Sequence, residues 1–508
     1  MSLNPLASPK TGFLLCLALI AIPIFACLNK LPIMLWDEAR LAINSYEMYK
    51  ADEWLVATYR GAPDMWNTKP PFVLWFQILS FKIFGVNELA LRLPSAIAGA
   101  LTCLLIYWFF ARKGKILVGL MSVVILVTSA GFIKFHHSPR TGDYDAMLTL
   151  FTTGYCVFFI IYREEEKRKY LWGSVLLVTL AVMTKAAAGI IFLPALALCT
   201  LYRRRVSATL KQPAFYLGAL IFGVVVIGYY LLHERATPGY IEASKLNDWG
   251  GRYDTYNGVE GTYKPHPRFY TDLMKGRYFN FWYVFAIIGG VLGSFAKDKA
   301  IKNVAVYLSV LGLFFLLVIT KSVNRNDWYD MPMYPIISML AGLGVYFVFS
   351  LLRGEGPEAE FSGRNWAYVF LLGIVVLPYQ RMAYNSFNPD PGEWIAFNTH
   401  MVNYLKDVYH DKVKPPTQIA IVTDDYAGNI EWYGQVIADK KKIPVEIVHS
   451  DSIQAPKKVF VFFEDTKDSI MKKYNYTVLD SLYDNNVTIF QIDGRKKINT
   501  ALDSRTGI

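Results

Sequence analysis

The chain has 508 residues, of which 54% are hydrophobic and only 18% charged, and its mean hydropathy of +0.27 exceeds what one soluble core would bury. A net charge of +11 would suit nucleic acid, but Lys and Arg fall in short clusters between apolar runs rather than along one face, the pattern of loops against anionic lipid. Membrane lipids are therefore expected partners and nucleic acid is not. All five cysteines lie in apolar segments without a CxxC pair, which argues against a disulfide framework or a cysteine-bound metal.

The first apolar run, near 12–30, is followed by no small-residue cleavage site and reads as a retained helix rather than a signal sequence. A first loop, 31–90, opens with Trp36-Asp37-Glu38-Ala39-Arg40 and continues to Trp66-Asn67-Thr68-Lys69-Pro70-Pro71. Acids and bases at the membrane edge suit a charged headgroup; alternatively, Asp37 caps a helix running through Arg40 to Lys50. The run 72–84 is short and contains a lysine, so it is placed as an interfacial or re-entrant helix. Further apolar stretches follow near 91–111, 116–134, 145–162, 170–183, 187–202, 214–232, 279–296, 303–320, 331–352 and 366–380, giving about eleven crossings.

Between these stretches lie the reactive side chains. The turn His136-His137-Ser138-Pro139-Arg140-Thr141-Gly142-Asp143-Tyr144-Asp145 leads into a helix with Asp145 at its entrance, where a carboxylate in lipid requires a partner or a purpose. The adjacent histidines are candidate metal ligands, although neighbours on most backbones point to different sides. Lys185 interrupts an apolar pair of helices and calls for an anion such as phosphate, unless it snorkels to the interface. The long loop 233–278 carries His266-Pro267-Arg268, then Lys275 and Arg277, as headgroup or interfacial residues.

With the N-terminus inside, the clusters Arg112/Lys113/Lys115, Arg163 with Lys167/Arg168/Lys169, Arg203/Arg204/Arg205 and Lys297/Lys299/Lys302 all fall in the cytoplasm. The segments 31–90, 135–144, 233–278 and 321–330 then lie outside, together with the tail 381–508. In that tail, β-type runs at 418–423, 445–449, 458–463 and 487–492 alternate with helical stretches at 394–409, 429–436 and 466–474, a small α/β domain. The expected fold class is thus a multi-spanning α-helical membrane domain, 1–380, followed by a soluble α/β domain, 381–508.

Several motifs carry a resemblance. DEAR after the first helix, KPP before an aromatic-rich helix, residues 87–99, the RTGDYDAML turn, the TK at Lys185 and the WYDMPMYP stretch from Trp328 look like bacterial membrane glycosyltransferases related to protein O-mannosyltransferases and lipid A aminoarabinose transferases. The resemblance covers about residues 10–345. It implies a GT-C fold in the bacterial inner membrane, a polyprenyl-phosphate-linked sugar as donor, and inverting transfer on the outer face to a lipid, glycan or protein acceptor. By motif, Asp37 matches the family's catalytic carboxylate, with Glu38 beside it. Arg40 and Lys69 match basic residues near the lipid phosphate, Arg140 and Asp145 match the arginine and acid of the second outer loop, and Arg268 matches a later phosphate-site arginine. Lys185, from its own position, joins the phosphate-binding set.

Aminoarabinose transferases carry Glu before the KPP lysine where this chain has Thr68, and their paired histidines reduce to His266. No cofactor is expected with certainty; a divalent metal stays open, with His266 as its candidate. An acceptor hydroxyl losing its proton to a carboxylate, and a departing phosphate stabilised by cations, require the same residue types without the analogy. The rival readings are a glycolipid transporter or flippase, whose charges would lie near the midplane of repeated halves, and an oligosaccharide ligase using a diphosphate-linked donor.

Overall fold

The computed structural model describes residues 8–134, 136–202, 206–250, 266, 268–277, 281–354, 364–390, 399–462, 464–482 and 486–496. The chain forms two compact units, one of Met1–Lys30 with Asn44–Pro389, the other of Leu31–Ile43 with Asp390–Ile508.

The larger unit is helical. Among the described residues, seven helices are long and apolar enough to cross a membrane: Glu88–Ala111, Asp145–Glu165, Arg168–Ile190, Pro213–Ala236, Lys299–Lys321, Met331–Leu352 and Trp366–Phe387. Five shorter apolar helices, Pro9–Phe25, Phe72–Phe84, Ile116–Thr128, Leu193–Tyr202 and Trp282–Ser294, accompany them. Seven of the eleven expected crossings coincide with helices long enough to span, and the other four, near 12–30, 116–134, 187–202 and 279–296, fall on shorter ones. The helix Arg364–Phe387 passes through 380 because residues 380–387 contain no helix breaker and Pro378 is accommodated inside it, so the membrane helix ends later than the apolar run suggests.

Turn chemistry decides where the helix ends meet. Asp145–Glu165 and Arg168–Lys185 are joined by two residues, with Glu166 in the left-handed region at φ 54°, so they pack antiparallel and Lys185 returns to the level of Asp145. Glu88–Ala111 likewise turns through Gly114, at φ 70°, into Ile116–Thr128. At this end Arg112 pairs with Glu165, Lys113 with Glu164, and Lys115 with Asp298 at 2.9 Å. Three of the basic clusters are therefore tied together at one end of the bundle, while Arg203, Arg204 and Arg205 lie outside the described residues. Close helix contact is set by small residues: a Cβ on Gly289 would sit 1.8 Å from the Leu340 carbonyl oxygen, and one on Gly344 2.0 Å from that of Phe285. Apolar side chains gain little from association in lipid, so such backbone approach supplies the packing.

The smaller unit has a five-stranded sheet in the order Val445–Val448, Ile419–Val422, Lys457–Val461, Val487–Arg495, Tyr474–Leu482. The first three strands are parallel and the last two antiparallel to their neighbours. Thr399–Tyr409, Gly428–Lys441 and Glu464–Lys473 are its helices; residues 394–398 of the expected first one lie outside the described residues. The strand Tyr474–Leu482 has no counterpart in the sequence reading, since on this edge strand mostly exposed side chains erase the apolar signal. Leu31–Ile43 joins this unit: the Tyr433 hydroxyl accepts from Ile33 N at 3.4 Å, and Asn429 Nδ2 donates to Ile33 O at 3.3 Å.

Candidate functional site

Two polar clusters of the larger unit adjoin through one residue, Tyr144. The first is built on the turn 64–69. Asp64 Oδ1 accepts from the backbone N–H groups of Trp66 and Asn67, each at 3.0 Å, closing the turn that presents Lys69. Asn67 Nδ2 donates to Asn44 Oδ1 at 2.8 Å and to the Tyr144 hydroxyl at 2.9 Å. Lys69 Nζ lies over the rings of Tyr144, 5.4 Å from its centroid, and Trp66, at 5.9 Å, and 3.6 Å from Asp248 Oδ1. The Thr68 hydroxyl donates to the other oxygen of Asp248. The ammonium is thus held against two aromatic faces and one carboxylate.

The second cluster begins one residue beyond Tyr144. Lys185 Nζ is 2.6 and 2.8 Å from the two carboxylate oxygens of Asp145, and His137 Nδ1 is 2.7 Å from Oδ2. Asp145 is 2% exposed, so the lysine supplies the counter-charge that burial demands. The indole of Trp328 stacks on His137 at 4.2 Å and 7°. His136 packs on the same indole and meets Asp327 at 3.2 Å, so the adjacent histidines serve separate carboxylates.

Asp327 also pairs with Arg277, which reaches Asp330 at 3.4 Å. Burial alone would raise the Asp327 carboxyl, but the hydrogen bond and charge of His136, with Arg277, hold it down at about 2. Burial pushes Asp330 up to about 7 against the pull of Arg277, and the Tyr334 hydroxyl donates to it at 3.0 Å. Arg140 has a different use. Its guanidinium donates to the carbonyls of Pro23, Ile24, Ala26 and Ser386, and burial, with Arg92 nearby, lowers its pKa to about 10. It donates to the backbone around the π-helical turn Ala21–Phe25.

Asp37, Glu38 and Arg40 belong to the smaller unit, in the first turn of the helix Asp37–Ala51. Asp37 is the first helical residue and half-buried. Glu38 is 2% exposed and its Oε2 accepts from Met34 N at 2.7 Å; Arg40 N donates to Trp36 O at 2.9 Å. Trp36 stands in the left-handed region at φ 70° and stacks on Tyr426 at 5.1 Å. Arg268 is exposed just before the helix Phe269–Arg277, and His266 Nδ1 accepts from its backbone N–H at 3.3 Å.

Against this geometry stand the comparisons. The family of dolichyl-phosphate-mannose-protein mannosyltransferases matches residues 68–230, which hold Lys69, Asp145 and Lys185. An uncharacterized protein of Aquifex aeolicus is 30% identical over 409 residues, 72% of this chain and 79% of that one. The undecaprenyl phosphate-alpha-4-amino-4-deoxy-L-arabinose arabinosyl transferase of Aeromonas salmonicida is 30% identical over 370 residues, 69% of this chain and 62% of its own length. The crystal structure of ArnT from Cupriavidus metallidurans bound to undecaprenyl phosphate superposes with a TM-score of 0.67 at 15% identity, covering 94% of this chain and 97% of that one. This chain belongs to the GT-C membrane glycosyltransferase superfamily, with the protein O-mannosyltransferases and aminoarabinose transferases.

Within this GT-C fold, Lys69, Asp145 and Lys185 fall in adjoining clusters of one unit. Lys185 meets a protein carboxylate, the anion its position demands. Arg140 is spent on four carbonyls, and Arg268 is exposed. Asp248, His137 and Asp327 are the site residues that sequence reading passed over as partners. Asp248 is one of several acids in the segment 233–278, and no motif there sets it apart. Among the described residues no three His, Cys, Asp or Glu side chains converge as metal ligands. His266 is exposed and position 68 is Thr, so among the described residues neither gathers the carboxylate and imidazole partners that a metal centre needs.

Proposed function

We propose that the chain transfers a monosaccharide from a polyprenyl-phosphate donor to a hydroxyl or phosphate acceptor on the non-cytoplasmic face of the bacterial inner membrane, with inversion at the sugar carbon. The observation that carries this reading is Lys69, held between Trp66 and Tyr144 and adjoining the Asp145–Lys185 pair, at the end of the bundle away from the basic turns. The undecaprenyl phosphate of the ArnT structure and the dolichol-phosphate of an archaeal oligosaccharyltransferase support a lipid phosphate as the anion.

In this reaction the acceptor oxygen attacks the anomeric carbon from the face opposite the phosphate. The anomeric C–O bond breaks with its electrons on the phosphate, and the acceptor proton passes to a carboxylate. Asp37 takes that proton, with Glu38 holding the start of its helix through Met34. Asp145 orients groups at the site through Lys185 and His137. Lys69, with Arg268, supplies cations for the departing phosphate; Arg140 holds the backbone at Pro23 and Ser386. A transporter would place such charges at the midplane of broken helices, whereas Asp145 and Lys185 stand at helix ends.

The decisive assay incubates the purified protein in nanodiscs with a panel of polyprenyl-phosphate sugars and follows released polyprenyl phosphate by mass spectrometry. Release from none of them sinks the reading. Removing one charge-assisted partner of a phosphate costs about 1.5–3 kcal/mol, so Lys69→Ala and Arg268→Ala should each weaken an undecaprenyl-phosphate analogue by that amount. Unchanged affinity in both discards the phosphate assignment.

The orientation is tested separately. A cysteine placed at the exposed Asn388 should react with an impermeant thiol reagent in intact spheroplasts, and one at the exposed Lys299 should be protected. The opposite pattern inverts the topology.

A further inference from the structure

We propose that Asp248 is a charge filter at the lipid-phosphate site, favouring the singly charged donor diester over the more highly charged monoester product. The inference rests on the reading of Lys69 as the phosphate-binding cation.

Asp248 ends the helix Tyr240–Asn247, with its N–H on the Ser244 carbonyl at 2.8 Å. One carboxylate oxygen accepts from the Thr68 hydroxyl and the other lies 3.6 Å from Lys69 Nζ, with the Lys69 and Asp248 side chains 14% and 8% exposed. Two more bonds fasten the same segments together: the Tyr240 hydroxyl donates to Thr68 O at 2.7 Å, and Asn247 Nδ2 donates to Met65 O at 3.2 Å. The carboxylate is therefore held beside the lysine from both sides rather than meeting it by chance at the surface. A hydroxyl at position 68 is what allows a carboxylate from 180 residues away to take this place.

The charges then decide the behaviour of the site. Lys69 and Asp248 sum to zero. A polyprenyl-phosphate sugar is a phosphodiester with one negative charge. When the anomeric C–O bond breaks, its electron pair stays on the phosphate, and the monoester carries about −1.5 to −2 at neutral pH. A fixed carboxylate next to the cation repels that extra charge, and in a largely water-shielded site salt screens the repulsion little. Donor is admitted through Lys69, while product is destabilised by Asp248 and exchanges.

The test uses the full chain in nanodiscs and two ligands that differ by one charge, undecaprenyl phosphate and its monomethyl ester. Asp248→Asn keeps the size and an acceptor for Thr68 but removes the charge. It should tighten undecaprenyl phosphate about tenfold relative to the methyl ester, the size expected for loss of one nearby like charge. Asp248→Glu should keep the wild-type ratio, which separates charge from packing. A ratio in Asp248→Asn equal to or below wild type overturns the filter. Lys69→Ala tells the two readings apart. If it weakens both ligands while Asp248→Asn leaves the ratio unmoved, the filter alone fails; if it leaves both affinities unchanged, the phosphate site fails and the filter with it.

Discussion

Asp37→Asn is expected to lose between about 10²- and 10⁴-fold in turnover while the protein still inserts and still binds donor, the range typical of a lost general base. The structure sets up this test by placing Asp37 as the first residue of its helix, half-buried, with Glu38 rather than Asp37 bonding back to Met34 N. A purely structural Asp37 makes a different prediction. Asn serves a helix start nearly as well as Asp, so Asp37→Asn would then leave activity and stability close to wild type, and Asp37→Ala would cost about 1 kcal/mol. Thermal unfolding and sugar transfer measured on both variants separate the two. Full activity in Asp37→Asn removes Asp37 from the mechanism.

Asp145→Leu should destabilise the protein by about 3–5 kcal/mol, because it leaves Lys185 as an uncompensated cation in a buried position. Lys185→Met should also destabilise the protein, since the carboxylate is 2% exposed, takes bonds of 2.6 and 2.8 Å from that ammonium, and keeps only His137 at 2.7 Å when the lysine is removed. The double variant Asp145→Leu/Lys185→Met should recover much of the loss, as apolar replacements of a buried pair often do. Apparent unfolding temperatures of the four proteins close the cycle, and strictly additive losses would show that the pair is not coupled. Turnover adds a second axis. A structural pair regains activity along with stability in the double variant, whereas a pair that orients reacting groups regains stability alone.

The sequence reading of Lys185 as a phosphate ligand shows where such reading stops. A lone lysine in apolar surroundings demands an anion, and that demand was legible; that the anion is Asp145 follows only from two antiparallel helices of matched length joined by a two-residue turn. Arg140 is a similar case, because a guanidinium next to a carboxylate motif resembles a phosphate clamp until the π-turn at 21–25 brings carbonyls to it. Asp248 was invisible, being one acid among many in a long polar loop.

The sequence by itself determined the solvent and the ends. Apolar runs long enough for a bilayer, basic residues clustered at alternate turns and reactive residues confined to the other turns are one-dimensional patterns set by transfer free energies, which act on each segment regardless of its neighbours. Tertiary structure decided which charges neutralise one another. The pairing of Lys69 with Asp248, of Asp145 with Lys185 and His137, and of Asp327 with His136 and Arg277 joins residues 8 to 191 positions apart. A buried charge selects its partner by distance in space, and that distance exists only once helix packing and the turns between helices have fixed it.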